Sequence, residues 1–278
     1  MLSIISSYQL KNLTSENLII LDARAGKDAH QNYLESHIKG ARFIDLDKDL
    51  AEIGENAAFG GRHPLPIIRK FIETIFRLGI SDDSNVIIYD DKNGSNAAAR
   101  AWWMLKSSGL EYVQVLDGGI QAAEKAGLEF ATGEEFFEKK NLIKKHQWLH
   151  PVSDLEDVEN ELTNNSATVI DVRDSYRYNG ESEPIDLVAG HIPGAINIPF
   201  SENLDENGFF LKPEILREKY SKLLESKPEK LIIHCGSGVT ACHTILAPHF
   251  AGFEIPNLYV GSWSDWSRRE GKEIAKEF

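Results

Sequence analysis

The feature that most limits how this chain can fold is that it repeats itself. "NLIILDARAGKDAHQNYLESHIKGARFIDLD", from Asn17, is answered by "ATVIDVRDSYRYNGESEPIDLVAGHIPGAINIPF", from Ala167. Both read as an apolar strand, Asp-x-Arg, a polar stretch, His-Ile-x-Gly-Ala and a second apolar run. "NVIIYDDKNGSNAAARAWWML" is then answered by "KLIIHCGSGVTACHTILAPHF", and "GLEYVQVLDGGIQAAEKAG" by "GFEIPNLYVGSWSDWSRREG". Matches in the same order, offset by about 145 residues, describe a duplicated domain. A chain of 278 residues has room for two domains of about 140 residues each.

Within each half, strand-like and helix-like segments alternate. "VIIYD" and "LIIHC" are continuous apolar runs, as in strands buried on both faces. "RAWWMLKSSG" and "TILAPHFAG" have helical periodicity and stop at glycine. The pattern predicts an α/β fold, with a parallel sheet in each half and helices on both of its faces. The expected domains are residues 1–130 and 151–278. The charged segment "ATGEEFFEKKNLIKKHQWLH", residues 131–150, belongs to neither repeat and reads as a linker.

Composition narrows the function. The formal net charge of -13 disfavours nucleic acid and anionic membrane surfaces as partners. Two cysteines cannot build a disulfide framework, which fits a reducing cytoplasmic compartment. The N-terminus lacks a basic, apolar leader, and no run of about 18 apolar residues occurs. The histidines show no metal-ligand spacing, so no metal is expected.

The most informative stretch is "LIIHCGSGVTACHT". Cys235 follows a strand, and a helix is expected to start near Val239 or Thr240. Gly236 and Gly238 can adopt positive φ and let backbone N–H groups converge. With the helix N-terminus behind them, the amides of Gly236, Gly238, Val239 and Thr240 would form an anion cradle around the sulfur. An ordinary cysteine is only about 3% thiolate at pH 7; such a cradle lowers the thiol pKa and stabilises a persulfide. A cysteine phosphatase would need an arginine six residues on, where Ala241 stands. Sulfur transfer needs none there. Cys242 lies two helical turns past Cys235, about 10 Å along the axis, too far for a disulfide; it reads as a buried thiol.

"CGSGVTA" resembles the active-site loop of the rhodanese superfamily, in its 3-mercaptopyruvate sulfurtransferase branch. The tandem repeat, "GHIPGAINIP" and "GSWSDW" extend the resemblance over nearly the whole chain. It implies two tandem rhodanese-like domains, the second catalytic. The first is an inactive copy, with Asp90 at the position of Cys235. It implies an enzyme that moves sulfur from 3-mercaptopyruvate through a Cys235 persulfide to a thiol, such as thioredoxin or a small thiol, or to cyanide. No cofactor is implied. Ser237, His63 in "GRHPLP" and Asp47 in "FIDLD" match the family's proton-handling set. Arg177 in "SYRYNG" matches its donor-carboxylate arginine. A second family arginine is missing, with Ile185 near its place. Thiosulfate as donor, and a carrier or redox-sensing module without turnover, are the alternatives. Because the loop side chains are neutral, thiosulfate is expected to lack a cation beside the sulfur.

A residue needed by the fold should recur in both repeats, and one needed by the chemistry in only one. Arg24 and Arg173, and His37 and His191, recur and are assigned to structure. Trp263 and Trp266 read as core or domain-interface residues.

Overall fold

The computed structural model describes residues 2–138, 147–225 and 230–277. The chain packs into two compact units. The first comprises Met1–Glu52, Pro66–His150 and Glu206–Phe210; the second comprises Ile53–Leu65, Pro151–Asp205 and Leu211–Phe278.

In the first unit the strands are β1 (Ile4–Ile5), β2 (Leu18–Asp22), β3 (His37–Ile38), β4 (Ala41–Phe43), β5 (Asn85–Tyr89), β6 (Val113–Leu116) and β7 (Phe130–Ala131). A parallel sheet has the order β1-β6-β5-β2-β4, and β3 pairs with β7 antiparallel. The helices are α1 (Ser7–Lys11), α2 (Ala29–Glu35), α3 (Ile68–Arg77), α4 (Ala97–Ser107) and α5 (Gly119–Lys125). The Val/Ile-rich β5 buries every residue from Val86 to Tyr89, as a central parallel strand must. The alanine-rich α4 propagates readily and buries nearly all of its length.

The second unit repeats the plan. Its strands are β8 (Val152–Ser153), β9 (Thr168–Asp171), β10 (Ile196–Asn197), β11 (Leu231–His234) and β12 (Asn257–Tyr259). They are parallel in the order β10-β9-β11-β12-β8, the order of the first sheet read from its other edge. Helices α6 (Leu155–Asn164), α7 (Ser175–Asn179), α8 (Pro213–Glu225), α9 (Ala241–Phe250) and α10 (Ser262–Trp266) complete it. Trp263 and Trp266 sit in its core with Val158, Val169 and Ile232.

The recurring residues do the same work twice. Arg24 and Arg173 each hold the aspartate two residues earlier, Asp22 and Asp171, at 2.6 Å. His37 and His191 each place Nδ1 on a tyrosine carbonyl, of Tyr33 at 2.8 Å and Tyr178 at 2.9 Å, and stack on that same tyrosine ring.

The packing departs from the sequence boundaries in three places. Residues 53–65 of the first repeat pack with the second unit, and residues 206–210 pack with the first. The described ends of the 131–150 segment belong to the first unit. Glu135 accepts the Gly40 N–H, and Trp148 packs on Phe71 and Trp103. Residues 139–146 of that segment lie outside the described residues. Pairing the two repeats shows what each copy shares. It does not show where an insertion in one copy finds its apolar and charged partners.

Candidate active site

Cys235 follows β11 directly and is buried, with 3% exposure. Gly238 has φ +75°, and a Cβ there would stand 2.6 Å from the Val260 carbonyl oxygen, so only glycine fits. The helix expected at Val239 or Thr240 begins at Ala241, with Thr240 as its cap residue and Val239 buried beneath the loop.

The start of α10 fixes the loop backbone. The Cys235 carbonyl accepts the Trp263 N–H at 3.0 Å, and the Gly236 carbonyl accepts the Ser264 N–H at 2.9 Å. The Cys235 N–H donates to Ser262 Oγ at 3.2 Å, and that hydroxyl donates to the Tyr259 carbonyl at 2.9 Å. Ser262 is fully buried with φ +54°, where the first repeat has Gly119 at φ +61°. A left-handed non-glycine residue is held at a cost of about 1–3 kcal/mol. Ser262 was not singled out from the sequence; its signal was "GS" standing opposite "GG" in the repeat alignment.

Ser237 and His63 come together, with His63 Nδ1 at 2.8 Å from Ser237 Oγ. Segment 53–65 makes this contact inside the second unit. It also brings Arg62, which sequence reasoning missed. A Cβ added at Gly236 would stand 3.1 Å from Arg62 Nη2 and 3.4 Å from Arg177 Nη2. Two guanidiniums therefore lie over the residue after the cysteine, although Ile185 is 55% exposed and supplies none.

Neither guanidinium is a bare cation. Arg177 grips Glu183 through Nε at 3.1 Å and Nη2 at 2.7 Å, and stands 3.6 Å from Asp186. The buried Asp186 carboxylate also takes Arg62 at 3.1 Å and Arg268 at 2.8 Å. Burial opposes ionisation of Glu183, and Arg177 with the Ile185 and Asp186 amides holds its pKa below the ordinary range. Arg173, assigned to structure, also lines the narrow cavity at Cys235, with Arg177, Phe200 and Thr240. Burial works against the Arg173 charge, but Asp171 and Glu183 raise its pKa above the usual value. The expectation that thiosulfate lacks a cation beside the sulfur is thus corrected: the loop side chains are neutral, but Arg173 and Arg177 line the same cavity as Cys235.

Asp47 belongs to the first unit, in the turn after β4, where its backbone N–H donates to the Asp45 carboxylate at 2.9 Å. Cys242 is fully buried, its thiol donating to the Gly238 carbonyl at 3.3 Å, and both cysteines are free. Among the described residues, no group of three or more His, Cys, Asp or Glu is placed to hold a metal ion, and no helix is long and apolar enough to cross a membrane.

The model of the rhodanese-like domain matches twice, over residues 6–126 and 154–269. The chain belongs to the rhodanese family. Within that family it is a sulfurtransferase. A probable 3-mercaptopyruvate sulfurtransferase of Pseudomonas aeruginosa is 39% identical over 98% of this chain and 97% of its own length. A putative thiosulfate sulfurtransferase, SseB of Mycobacterium tuberculosis, is 37% identical over 90% of this chain and 86% of its own. The crystal structure of SseA from Escherichia coli, described as a 3-mercaptopyruvate sulfotransferase, superposes with a TM-score of 0.80 at 29% identity, covering 95% of this chain and all of that one.

Proposed function

We propose that this sulfurtransferase takes sulfur from 3-mercaptopyruvate onto Cys235 and passes it to a thiol acceptor. The observation that carries the donor assignment is the pair of guanidiniums, Arg62 and Arg177, over Gly236. A planar carboxylate suits a guanidinium fork, and 3-mercaptopyruvate keeps its carboxylate away from the reacting sulfur.

In this reading the Cys235 thiolate attacks the donor sulfur and a new S–S bond forms. The donor C–S bond breaks, its electron pair passes into the enolate of pyruvate, and the enolate takes up a proton. The Ser237 hydroxyl and the His63 imidazole, in contact at 2.8 Å, are the pair assigned to that transfer. Asp47 stays a relay candidate on the family pattern alone. The persulfide rests against the amides of Gly236, Gly238, Val239 and Thr240, and a small thiol, a thioredoxin-like protein thiol or cyanide then removes the outer sulfur.

Thiosulfate is the second reading, favoured by Arg173 and Arg177 in the cavity wall. Steady-state kcat/KM for the two donors, with one acceptor at one pH, separates them. The expected result is a preference for 3-mercaptopyruvate. Equal or better use of thiosulfate would overturn the donor assignment, and no turnover with either would favour a carrier module.

A further inference from the structure

The loop of the first repeat that answers the cysteine loop has no role in the reaction above, yet its geometry is closely specified. Asp90 follows β5 directly, as Cys235 follows β11. Its carbonyl accepts the Ile120 N–H at 3.0 Å, as the Cys235 carbonyl accepts that of Trp263. Its side chain is turned back into its own loop and is 1% exposed. Oδ1 accepts the N–H groups of Lys92 at 2.9 Å and Gly94 at 2.8 Å. Oδ2 accepts those of Asn96 at 3.0 Å and Ala98 at 3.1 Å. Gly94 reaches this arrangement at φ +75°.

Burial raises the Asp90 carboxyl pKa above the ordinary range, and the four N–H donors work against that rise. Each carboxylate oxygen has lone pairs for two donors, so the anion takes all four N–H groups without a proton to place among them. The geometry also has a chemical parallel. An aspartate carries its anionic oxygens two bonds beyond Cβ, where a cysteine persulfide carries its terminal sulfur.

We infer that the first repeat retains an anion-binding site whose ligand is built into the chain. Asp90 occupies a cradle of four backbone N–H groups in the manner of a persulfide, and the vacated cradle takes a small carboxylate. The inference rests on the loop geometry and does not depend on which sulfur donor the enzyme uses.

The test uses the full chain carrying Asp90→Gly, which removes the carboxylate and opens its space. Thermal melting is followed with sodium acetate or sodium formate against sodium chloride at equal ionic strength. The variant should melt several degrees below wild type. Acetate and formate should restore much of that loss where chloride does not, and wild type should show no such carboxylate-specific gain. Asp90→Asn keeps the space filled but turns an amide NH2 toward two of the donors. It should be destabilised and gain nothing from acetate. If Asp90→Gly does not fold, Asp90→Ala, which also removes the carboxylate and opens its space, takes its place in the acetate and formate comparison. Asp90→Asn melting with wild type, or Asp90→Gly gaining no more from acetate than from chloride, would overturn the inference.

Discussion

Arg62 and Arg177 differ in what holds them, and that difference separates binding from stability. Arg62 has a side chain 27% exposed and paired with Asp186, whereas Arg177 is 10% exposed and locked on a buried Glu183. A lost charge-assisted hydrogen bond is worth roughly 1.5–3 kcal/mol, about tenfold to a hundredfold in kcat/KM. Arg62→Ala should lower kcat/KM for 3-mercaptopyruvate by this factor with little change in Tm. Arg177→Ala should lower it similarly and also destabilise the fold by roughly 1.5–3 kcal/mol, because the buried Glu183 loses its two bonds from Arg177 and keeps only Arg173, at 3.1 Å, as a charged partner. Donor kinetics beside urea melts check both, and an Arg62→Ala enzyme with unchanged kcat/KM removes Arg62 from the site. His234 gives a pH prediction. Burial holds its imidazole below the ordinary histidine pKa, against Asp171 at 3.9 Å. As pH falls through about 6.5 the unfolded chain takes up this proton before the folded one does. The contribution of His234 to stability is therefore full above that pH and is lost as pH falls toward its folded pKa. In the first repeat the same position is Tyr89, whose hydroxyl donates to Asp22 at 2.7 Å. His234→Tyr should make Tm fall less than in wild type between pH 7 and pH 5, and parallel curves would contradict the account.

At the scale of the element, the turn into α10 is a clamp on the cysteine loop. Three successive residues of "GSW-S", Ser262 to Ser264, bond to the backbone of Cys235 and Gly236. The first repeat keeps the equivalent bond from Ile120 to Asp90 but uses glycine, not serine, at the left-handed position. The copy that bears the thiol thus accepts backbone strain in exchange for a hydroxyl on the cysteine amide. Ser262→Ala loses the hydroxyl and keeps the strain, so it should destabilise by about 1–3 kcal/mol. Ser262→Gly loses the same hydroxyl and relieves the left-handed strain, so it should be the more stable of the two. Chemical denaturation of both variants measures this; equal stabilities, or alanine the more stable, would show that Ser262 is not strained in solution. Both should slow alkylation of Cys235 at fixed pH, since the loop backbone that surrounds the sulfur is loosened in each.

For the whole molecule, the repeat made most of the fold legible. The two parallel sheets, the Asp-x-Arg pairs and the structural place of the two histidines follow from residues that occur twice, because what both copies share is what the fold needs; the strand order did not. Cys235 stood out as the candidate nucleophile for the converse reason, being present in one copy only. Arg62, Glu183 and Asp186 were not. Arg62 sits in a segment of the first repeat that packs with the second unit, and the two carboxylates matter only through arginines distant in sequence. The same packing predicts that residues 151–278 alone, lacking Arg62 and His63, lose most activity; full activity in that fragment would remove both residues from the reaction. Underneath all of this is the claim that sulfur rests on Cys235, and intact mass after brief mixing with 3-mercaptopyruvate tests it most directly. The account predicts one added sulfur per chain in wild type and in Cys242→Ser, its loss on adding cyanide, and no addition in Cys235→Ser. An unmodified wild-type chain under turnover conditions, or an added sulfur that persists in Cys235→Ser and maps to Cys242, would contradict it.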